Sequence, residues 1–307
     1  MKIRKHNWLT LAFQLRGSVI PAIYRQVIFF GVFGFSISVL YYFKLPVSQP
    51  SFASVIPSIV LGLLLVLRTN TAYERFWEGR KLWANLVNDT RNMAWQIGVM
   101  MNDIELEDRA RRIAILRVVA AFAVACKLYL RSEPVNRELE VLLSPSQYLQ
   151  LKTLHNPPLA IVSWVGNYIQ QQYQRGNAVL HYSHVVFLQT TLKSMVESLG
   201  NCERILKTPL PLTYSIHLKQ LLILYCLFLP FQLVKDLGWA TGAFVALVSF
   251  TMLGIEEIGI EIENPFGYDA NDLPLDSLCT EIKYDVEEFI TYNFSVNPYL
   301  DNIHQED

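Results

Sequence analysis

A loop rich in oxygen-bearing side chains follows the last apolar tract of this 307-residue chain. The stretch Glu261-Ile-Glu-Asn-Pro-Phe-Gly-Tyr-Asp-Ala-Asn-Asp272 places carboxylates and amides around a proline and a glycine. Hard cations such as Ca²⁺ favour oxygen ligands in a loop of this kind, although the spacing is not that of an EF-hand. Solvated acids at a helix end explain the stretch equally well, so both interpretations stay open.

The histidines and cysteines form no pattern typical of a catalytic or metal site. His181 and His184 lie three residues apart on a predicted helix, but no carboxylate or cysteine completes a ligand set, which favours ordinary polar contacts. The chain has no nucleophile elbow, phosphate-binding glycine loop or HExxH motif. Four widely separated cysteines and a net charge of −1 favour neither a disulfide framework nor a nucleic-acid partner. We therefore predict no enzyme.

A stripe of aliphatic residues at four-residue spacing runs along one apolar tract. Ile59, Leu63 and Leu67 fall on one side of a helix, and Val55 extends the stripe backwards. Several copies of such a stripe around an axis form a narrow apolar throat that gates by dewetting. Every membrane helix carries Ile and Leu on all sides, so spacing alone leaves open both a throat and an ordinary membrane-facing stripe.

Four tracts almost free of charge are the elements that position these residues. The chain is 52% hydrophobic and only 17% charged, and the shortage of charge is concentrated in these tracts. Because a spanning helix needs about 20 apolar residues, we predict membrane spans at about 26–43, 52–70, 214–234 and 237–256. Residues 73–210 and 257–307 are predicted to form a large helical cytoplasmic part. A single apolar tract could be a buried helix of a soluble protein. Four such tracts arranged in two pairs favour membrane spans instead.

Basic residues near the spans predict the orientation. Only Lys44 lies between the first two spans, whereas basic residues are frequent before the first and after the second: Lys2, Arg4, Lys5, Arg16 and Arg25, then Arg68, Arg75, Arg80 and Lys81. The positive-inside rule then places both termini in the cytoplasm. The basic start is followed by a mixed stretch without the cleavage site of a signal peptide.

Helical periodicity continues through the middle of the chain. Nothing between Gly62 and Gly79 breaks a helix, so the second span is predicted to continue into water. Further helices are predicted at about 109–130, 139–154, 161–174 and 179–206, and a tight hairpin at Lys235-Asp236 joins the last two spans. Small residues allow close helix packing: Gly31, Gly34, Ser36 and Ser38 in the first span, and Gly238, Thr241 and Gly242 in the fourth.

Several motifs, in order along the whole chain, carry a resemblance to a known family. They are Arg16-Gly-Ser18, Arg68-Thr-Asn-Thr-Ala-Tyr-Glu-Arg-Phe-Trp-Glu-Gly-Arg-Lys-Leu-Trp83, Cys202-Glu-Arg204, Thr208-Pro-Leu-Pro211, Leu229-Pro-Phe231 and Glu263-Asn-Pro-Phe-Gly267. With these motifs the chain resembles the bacterial branch of the bestrophin ion channels. The resemblance covers essentially all of residues 1–307, which it implies are one channel domain.

The resemblance implies an all-α homopentamer around a central pore, with four membrane helices and a large helical cytoplasmic part per subunit. It places the pore neck on Ile59, Leu63 and Leu67, and a second, cytosolic aperture in Val179–Val186, nearest at Ser183. Animal members usually carry aromatic residues in the neck. They also hold calcium in the acidic loop, which implies Asp269, Asp272, Glu261 and Asn264 as ligands here. No other cofactor is implied.

The combined prediction is a passive channel for small inorganic ions in a bacterial inner membrane, with itself and lipid as partners. Chloride is preferred, from the majority behaviour of the family. A channel selective for monovalent cations is the alternative implied by the resemblance, because some bacterial members are said to prefer them, and the uncharged aliphatic neck favours neither ion. A membrane-anchored scaffold or signalling protein is a rival of another class. A secondary transporter would predict broken helices and paired halves, which the sequence lacks.

Overall fold

A computed structural model describes residues 13–15, 17–49, 55–101, 106–175 and 180–294, and every regular element within these ranges is helical. Arg16, in the first family motif, and Val179, in the predicted aperture, lie outside the described residues. The helices are α1 (Ile20–Tyr42), α2 (Val55–Met100), α3 (Leu106–Leu130), α4 (Arg137–Glu140), α5 (Pro145–Leu151), α6 (Pro157–Gln174), α7 (Tyr182–Lys207), α8 (Leu212–Leu237), α9 (Thr241–Glu261) and α10 (Leu275–Phe294).

The chain divides into two compact units. Unit 1 comprises Met1–Trp77 and Thr208–Asp272, and unit 2 comprises Glu78–Lys207 and Leu273–Asp307. Helix α2 is unbroken over 46 residues and contributes to both. The prediction that one helix continues past the second span without interruption is therefore confirmed.

Unit 1 contains the apolar helices expected to cross the membrane. Among the described residues, four stretches are long and apolar enough to do so: Ile20–Tyr42, Ile56–Met100, Glu107–Leu130 and Leu212–Glu261, the last of which contains both α8 and α9. Glu107–Leu130 belongs to unit 2, where 78% of its most apolar window is buried, against 28% for α1. Helix α3 is therefore apolar because it is a core helix, which leaves α1, the start of α2, α8 and α9 as the spans.

Close contact between backbones joins α1 and α9. A Cβ atom added at Gly242 would lie 2.9 Å from the carbonyl oxygen of Gly31 and 2.9 Å from the backbone nitrogen of Phe35. The hydroxyl of Ser38 donates to the carbonyl of Gly238 at 2.9 Å. Gly31, Gly34, Ser38 and Gly242 therefore allow the close helix approach predicted for them, whereas Ser36 is exposed and donates to Val32 of its own helix.

The connection between the last two spans differs from the prediction. Lys235 and Asp236 belong to α8, which ends at Leu237, and a short 3₁₀ turn, Gly238–Ala240, reverses the chain. Gly238 adopts a φ of +52°, a conformation that costs glycine little. The prediction of a tight hairpin between the two spans is therefore correct, but the turn lies at Gly238–Ala240 rather than at Lys235-Asp236.

In unit 2, α3 is the central helix, with α6, α7 and α10 packed around it. The predicted helix at 139–154 is wrong as one element: the chain forms α4 and α5 instead. Ser144 caps α5 through reciprocal hydrogen bonds with Gln147, and Pro145 occupies the first turn, so a new helix begins where continuity was expected. Helix α6 likewise begins earlier than predicted, because Asn156 caps it and Pro157 opens it.

Candidate functional site

The first part of α2 has two faces of different kinds. Leu61 and Leu65 are buried against Leu218 and Leu222 of α8. Ile59, Leu63 and Leu67, the predicted neck residues, are 64%, 62% and 53% exposed. Unit 1 therefore buries one side of α2 and leaves the predicted stripe uncovered.

The helical geometry explains this separation. At about 100° per residue, Ile59 lies roughly 200° around the axis from Leu61, and Leu63 lies roughly 200° from both Leu61 and Leu65. The buried side continues through Arg68 and Ala72, which are 3% and 0% exposed. The neck stripe thus lies opposite the side of α2 that unit 1 covers.

The exposed face of α2 changes from apolar to polar along its length. After Leu67, the exposed residues on the same side of the helix are Asn70, Glu74 and then the aromatic Trp77. Polar residues are expected on any side of a helix where it leaves the bilayer, and a pore wall also becomes polar where it opens into water. This order of side chains is compatible with a pore-lining helix, and the pore neck at Ile59, Leu63 and Leu67 stays a prediction.

Arg68, the first charge after the stripe, is turned into unit 1 rather than along the exposed face. Its guanidinium donates to the hydroxyl of Ser215 at 3.2 Å. It also lies 3.8 Å from a carboxylate oxygen of Glu256 and 3.8 Å from one of Glu263. Two acids therefore compensate the charge of this buried cation inside unit 1, on the side of α2 opposite the exposed stripe.

Three motifs that are far apart in the sequence meet through Arg75 and Glu263. Arg75 donates to the backbone carbonyls of Glu263, at 3.3 Å, and of Thr208. The Glu263 side chain accepts a hydrogen bond from the backbone of Leu210 at 2.8 Å. The helix after the neck, the Thr208-Pro-Leu-Pro211 entry to α8 and the Glu263-Asn-Pro-Phe-Gly267 loop are therefore held together at one end of the membrane helices.

The acidic loop uses its oxygens in local hydrogen bonds. Asp272 accepts from the backbone of Asp269 at 2.8 Å, and Asn264 from that of Phe266 at 3.3 Å. Glu261 accepts from the side-chain amide of Asn271 at 2.7 Å. Among the residues that the structure describes, no three His, Cys, Asp or Glu side chains gather as a metal-ligand set. Calcium binding by this loop stays a prediction.

Ser183, the predicted residue of the second aperture, lies exposed in the first turn of α7. The opposite side of α7 is buried in unit 2 through Leu188, Leu192 and Met195. The nearby rings of His181 and His184 are 5.7 Å apart. The exposed position is compatible with an aperture, whose assignment to Ser183 stays a prediction.

Sequence reasoning missed the charged cluster around Arg68. Glu256 is only 5% exposed near the end of α9, and Lys219 lies 4.0 Å from it. Glu256 ends the fourth predicted span, where a charge usually has a partner, but its partners lie far away along the sequence. One signal in the sequence could have indicated this cluster. Arg68 lies near the end of the second predicted span and Glu256 at the end of the fourth, and both ends lie on the same side of the membrane.

Comparison with known proteins now identifies the family. A family model described as bacterial/fungal bestrophin protein matches residues 1–288. The chain therefore belongs to the bacterial/fungal bestrophin family, and the resemblance seen in the motifs is confirmed. With the helical structure and its apolar helices, the prediction of an all-α integral membrane protein with four spans is also confirmed.

Relatives with curated names agree with this assignment. A voltage-dependent anion channel-forming protein of Nostoc sp. is 56% identical over 97% of each chain. A protein of the same name from Synechocystis sp. is 47% identical over 92% of each. A crystal structure of a bacterial bestrophin homologue from Klebsiella pneumoniae matches with a TM-score of 0.79 and 27% identity, over 87% of this chain and 98% of that one. The chain thus belongs with proteins named for channel formation rather than with enzymes.

Proposed function

We propose that this chain forms a homopentameric channel that passes small inorganic anions, chloride first, passively across a bacterial inner membrane. Five copies of α2 surround the axis and turn the stripe of Ile59, Leu63 and Leu67 towards it. Both termini and unit 2 lie in the cytoplasm. The channel-forming names of the relatives from Nostoc and Synechocystis support the choice of anions.

The exposed stripe of α2 is the observation that carries this proposal. The side chains of Ile59, Leu63 and Leu67 are more than half exposed in a single chain, while the opposite side of the helix is buried. Exposed apolar residues on a membrane helix contact either lipid or other protein. The polar residues Asn70 and Glu74 follow on the same side, as expected where a pore wall opens into water.

The proposed neck controls conduction by its hydration. A narrow ring of Ile and Leu offers no hydrogen bonds to water, so the ring dewets when it is closed and an ion cannot pass without its hydration shell. Small outward movements of α2 admit water and restore conduction. The cluster of Arg68 with Glu256 and Glu263 determines where the apolar ring ends.

A cation-selective channel is the second candidate, because Glu74 lies exposed on the same side of α2 as the neck stripe. Five such carboxylates around an axis attract cations. We expect anions to be preferred nevertheless, since Glu74 lies beyond the neck, where water screens its charge.

Recording from purified protein in planar bilayers tests the proposal. We expect unitary current steps, and under a salt gradient a reversal potential close to the equilibrium potential of chloride. A reversal potential close to that of the cation, moved towards chloride by Glu74→Gln, would establish the cation channel. The control is Glu107→Gln, which removes an exposed acid of α3. A silent bilayer would favour a membrane-anchored scaffold.

The subunit number requires its own measurement. Native mass spectrometry of detergent-solubilised protein should show five chains per particle. A monomer in both detergent and lipid would rule out an axial pore, because a single α2 cannot enclose one.

A further inference from the structure

A cleft of about 570 Å³ opens on unit 1 between α1, α8 and α9. One part of its wall is apolar, with Phe29 60% exposed and Ile223 49% exposed, and Leu253 beside them. The other part carries charge, through Arg25 of α1, Lys219 of α8, and Glu256 and Glu257 of α9. All three helices belong to the predicted membrane spans, which places the cleft at membrane depth.

The charges of the cleft differ in their accessibility. The Lys219 side chain is 56% exposed, and Arg25 is exposed as well, with its Nε donating to the hydroxyl of Tyr24 at 3.1 Å. Glu256, in contrast, has a side chain only 7% exposed and lies close to Arg68 and Lys219. Glu257 is half-buried. The surface that a ligand meets first is therefore positive.

The position of the charges along the helices matches the boundary of a membrane. Arg25 lies near the start of α1, Lys219 in the first third of α8, and Glu257 near the end of α9. These ends lie on the same side of the membrane, because consecutive spans alternate in direction. Basic pockets between membrane helices at such a level bind the head groups of anionic lipids.

We propose that this cleft binds a phospholipid whose head group carries one negative charge. Arg25 and Lys219 hold the phosphate, and an acyl chain lies along Phe29, Ile223 and Leu253. Glu257 reduces the positive charge of the site and so disfavours head groups with more negative charge. In the orientation proposed above, the lipid belongs to the inner leaflet. The apolar wall selects lipid over free phosphate, which has no group to place there.

Native mass spectrometry of the full chain in detergent tests this proposal. Phosphatidylglycerol and phosphatidylcholine with identical acyl chains are titrated separately, and bound lipid is counted as mass adducts. We expect phosphatidylglycerol to bind more tightly, and Arg25→Gln or Lys219→Gln to weaken its binding about fivefold each, since a basic residue near an anionic lipid contributes about 1 kcal/mol. Glu257→Gln should strengthen it.

Lys235→Gln is the matched control, because Lys235 is an exposed lysine at the other end of α8. It should leave lipid binding unchanged, and Lys219→Arg should retain it. The opposite signs expected for Lys219→Gln and Glu257→Gln separate charge recognition from damage to the fold.

Four results would overturn the proposal, the last of them displacement of the lipid by phosphate. The first is equal binding of the two lipids, and the second is unchanged binding in both Arg25→Gln and Lys219→Gln. The third is cross-linking of two copies through Phe29→Cys, which would show that another chain covers the cleft. Millimolar inorganic phosphate should not displace the lipid; if it does, the site recognises phosphate alone. None of these measurements depends on channel activity.

Discussion

Helices α1 and α3 are both apolar enough to cross a membrane, but they occupy opposite environments. In α3 of unit 2, 78% of the most apolar window is buried, and in α1 of unit 1 only 28%. Helix α3 is surrounded by other helices of its own chain, whereas α1 offers most of its surface to lipid or to other subunits. Apolar composition alone therefore does not separate a core helix from a span; the surrounding helices do.

The buried cations of the two units differ in a similar way. Lys127 in unit 2 lies 2.8 Å from Glu138 and 2.8 Å from Asp276, partners whose side chains are substantially exposed. Arg68 in unit 1 lies 3.8 Å from Glu256 and Glu263, partners that are mostly buried. Unit 2 brings a buried cation to acids that water still reaches, while unit 1 encloses the whole group. Four predictions follow this comparison of the two units, in order of decreasing effect on stability.

Loss of a large side chain should matter most in the core of unit 2. Leu116→Ala in α3 removes a side chain that is 0% exposed and should lower the free energy of unfolding by about 2–5 kcal/mol. Leu247→Ala in α9, where the leucine is 60% exposed, should change it by only about 0.5 kcal/mol. Denaturant unfolding of both variants in the same detergent measures the difference. Equal losses would show that Leu247 is covered in the assembly.

Close helix packing is the next largest contribution, and it belongs to unit 1. Gly242→Ala places a methyl group 2.9 Å from backbone atoms of α1, so the helices must separate, at about 1–3 kcal/mol. The matched control is Gly200→Ala in α7, where an added Cβ meets nothing within 4 Å. This control should raise stability by at most about 1 kcal/mol through helix propensity. Thermal unfolding ranks the two, and a tolerated Gly242→Ala would contradict the packing described.

The ion pairs of Lys127 should make unit 2 sensitive to acid. The hydrogen bond from Lys127 lowers the pKa of Asp276, and Arg131 adds to the effect. Burial alone would raise the pKa of Glu138, but the hydrogen bond and charge of Lys127, with those of Lys283, lower it. Groups with a lowered pKa stabilise the fold above their unfolded values of about 4, and this contribution is lost as the pH falls through the folded values.

Lys127→Met should therefore reduce the loss of stability between pH 6 and pH 3 (a window of roughly three units around those values). The effect should be about 1 kcal/mol or less, because Asp276 is largely exposed to water. Lys193→Met, which removes only an exposed partner of Glu197, is the control and should leave the pH profile unchanged. Identical profiles for all three proteins would show that Lys127 does not set these pKa values.

Substitution in the proposed neck should change stability least and channel current most. Leu63→Ala leaves the fold nearly unchanged because Leu63 is exposed, but it should widen and hydrate the proposed neck and raise single-channel conductance severalfold. Leu65→Ala, on the buried side of the same helix, should destabilise unit 1 without the same rise in conductance. If Leu63→Ala conducts like the wild type, this residue does not lie at the constriction.

Much of unit 1 was predictable from the sequence because lipid imposes simple requirements. Long uncharged runs located α1, α8, α9 and the first part of α2. Small residues at Gly31 and Gly242 indicated where backbones approach. The neck stripe could be proposed from spacing, but whether unit 1 covered it depended on α8, which buries Leu61 and Leu65 instead.

Unit 2 was less predictable because its helices are short and their ends depend on local contacts. The division between α4 and α5 depends on the reciprocal hydrogen bonds of Ser144 and Gln147, which periodicity does not reveal. The role of Lys127 depends on acids that are 11 and 149 residues away along the chain. Contacts between residues this far apart leave no pattern in the local sequence.

The sequence by itself determined the class of protein and its main helices, because the spacing of apolar residues is fixed by the helical repeat and by the thickness of a bilayer. Tertiary structure alone decided which side of α2 stays exposed, which helices surround α3 in unit 2, and that Arg68 meets Glu256 and Glu263. These outcomes depend on residues more than a hundred positions apart, which only the packing of the helices brings together.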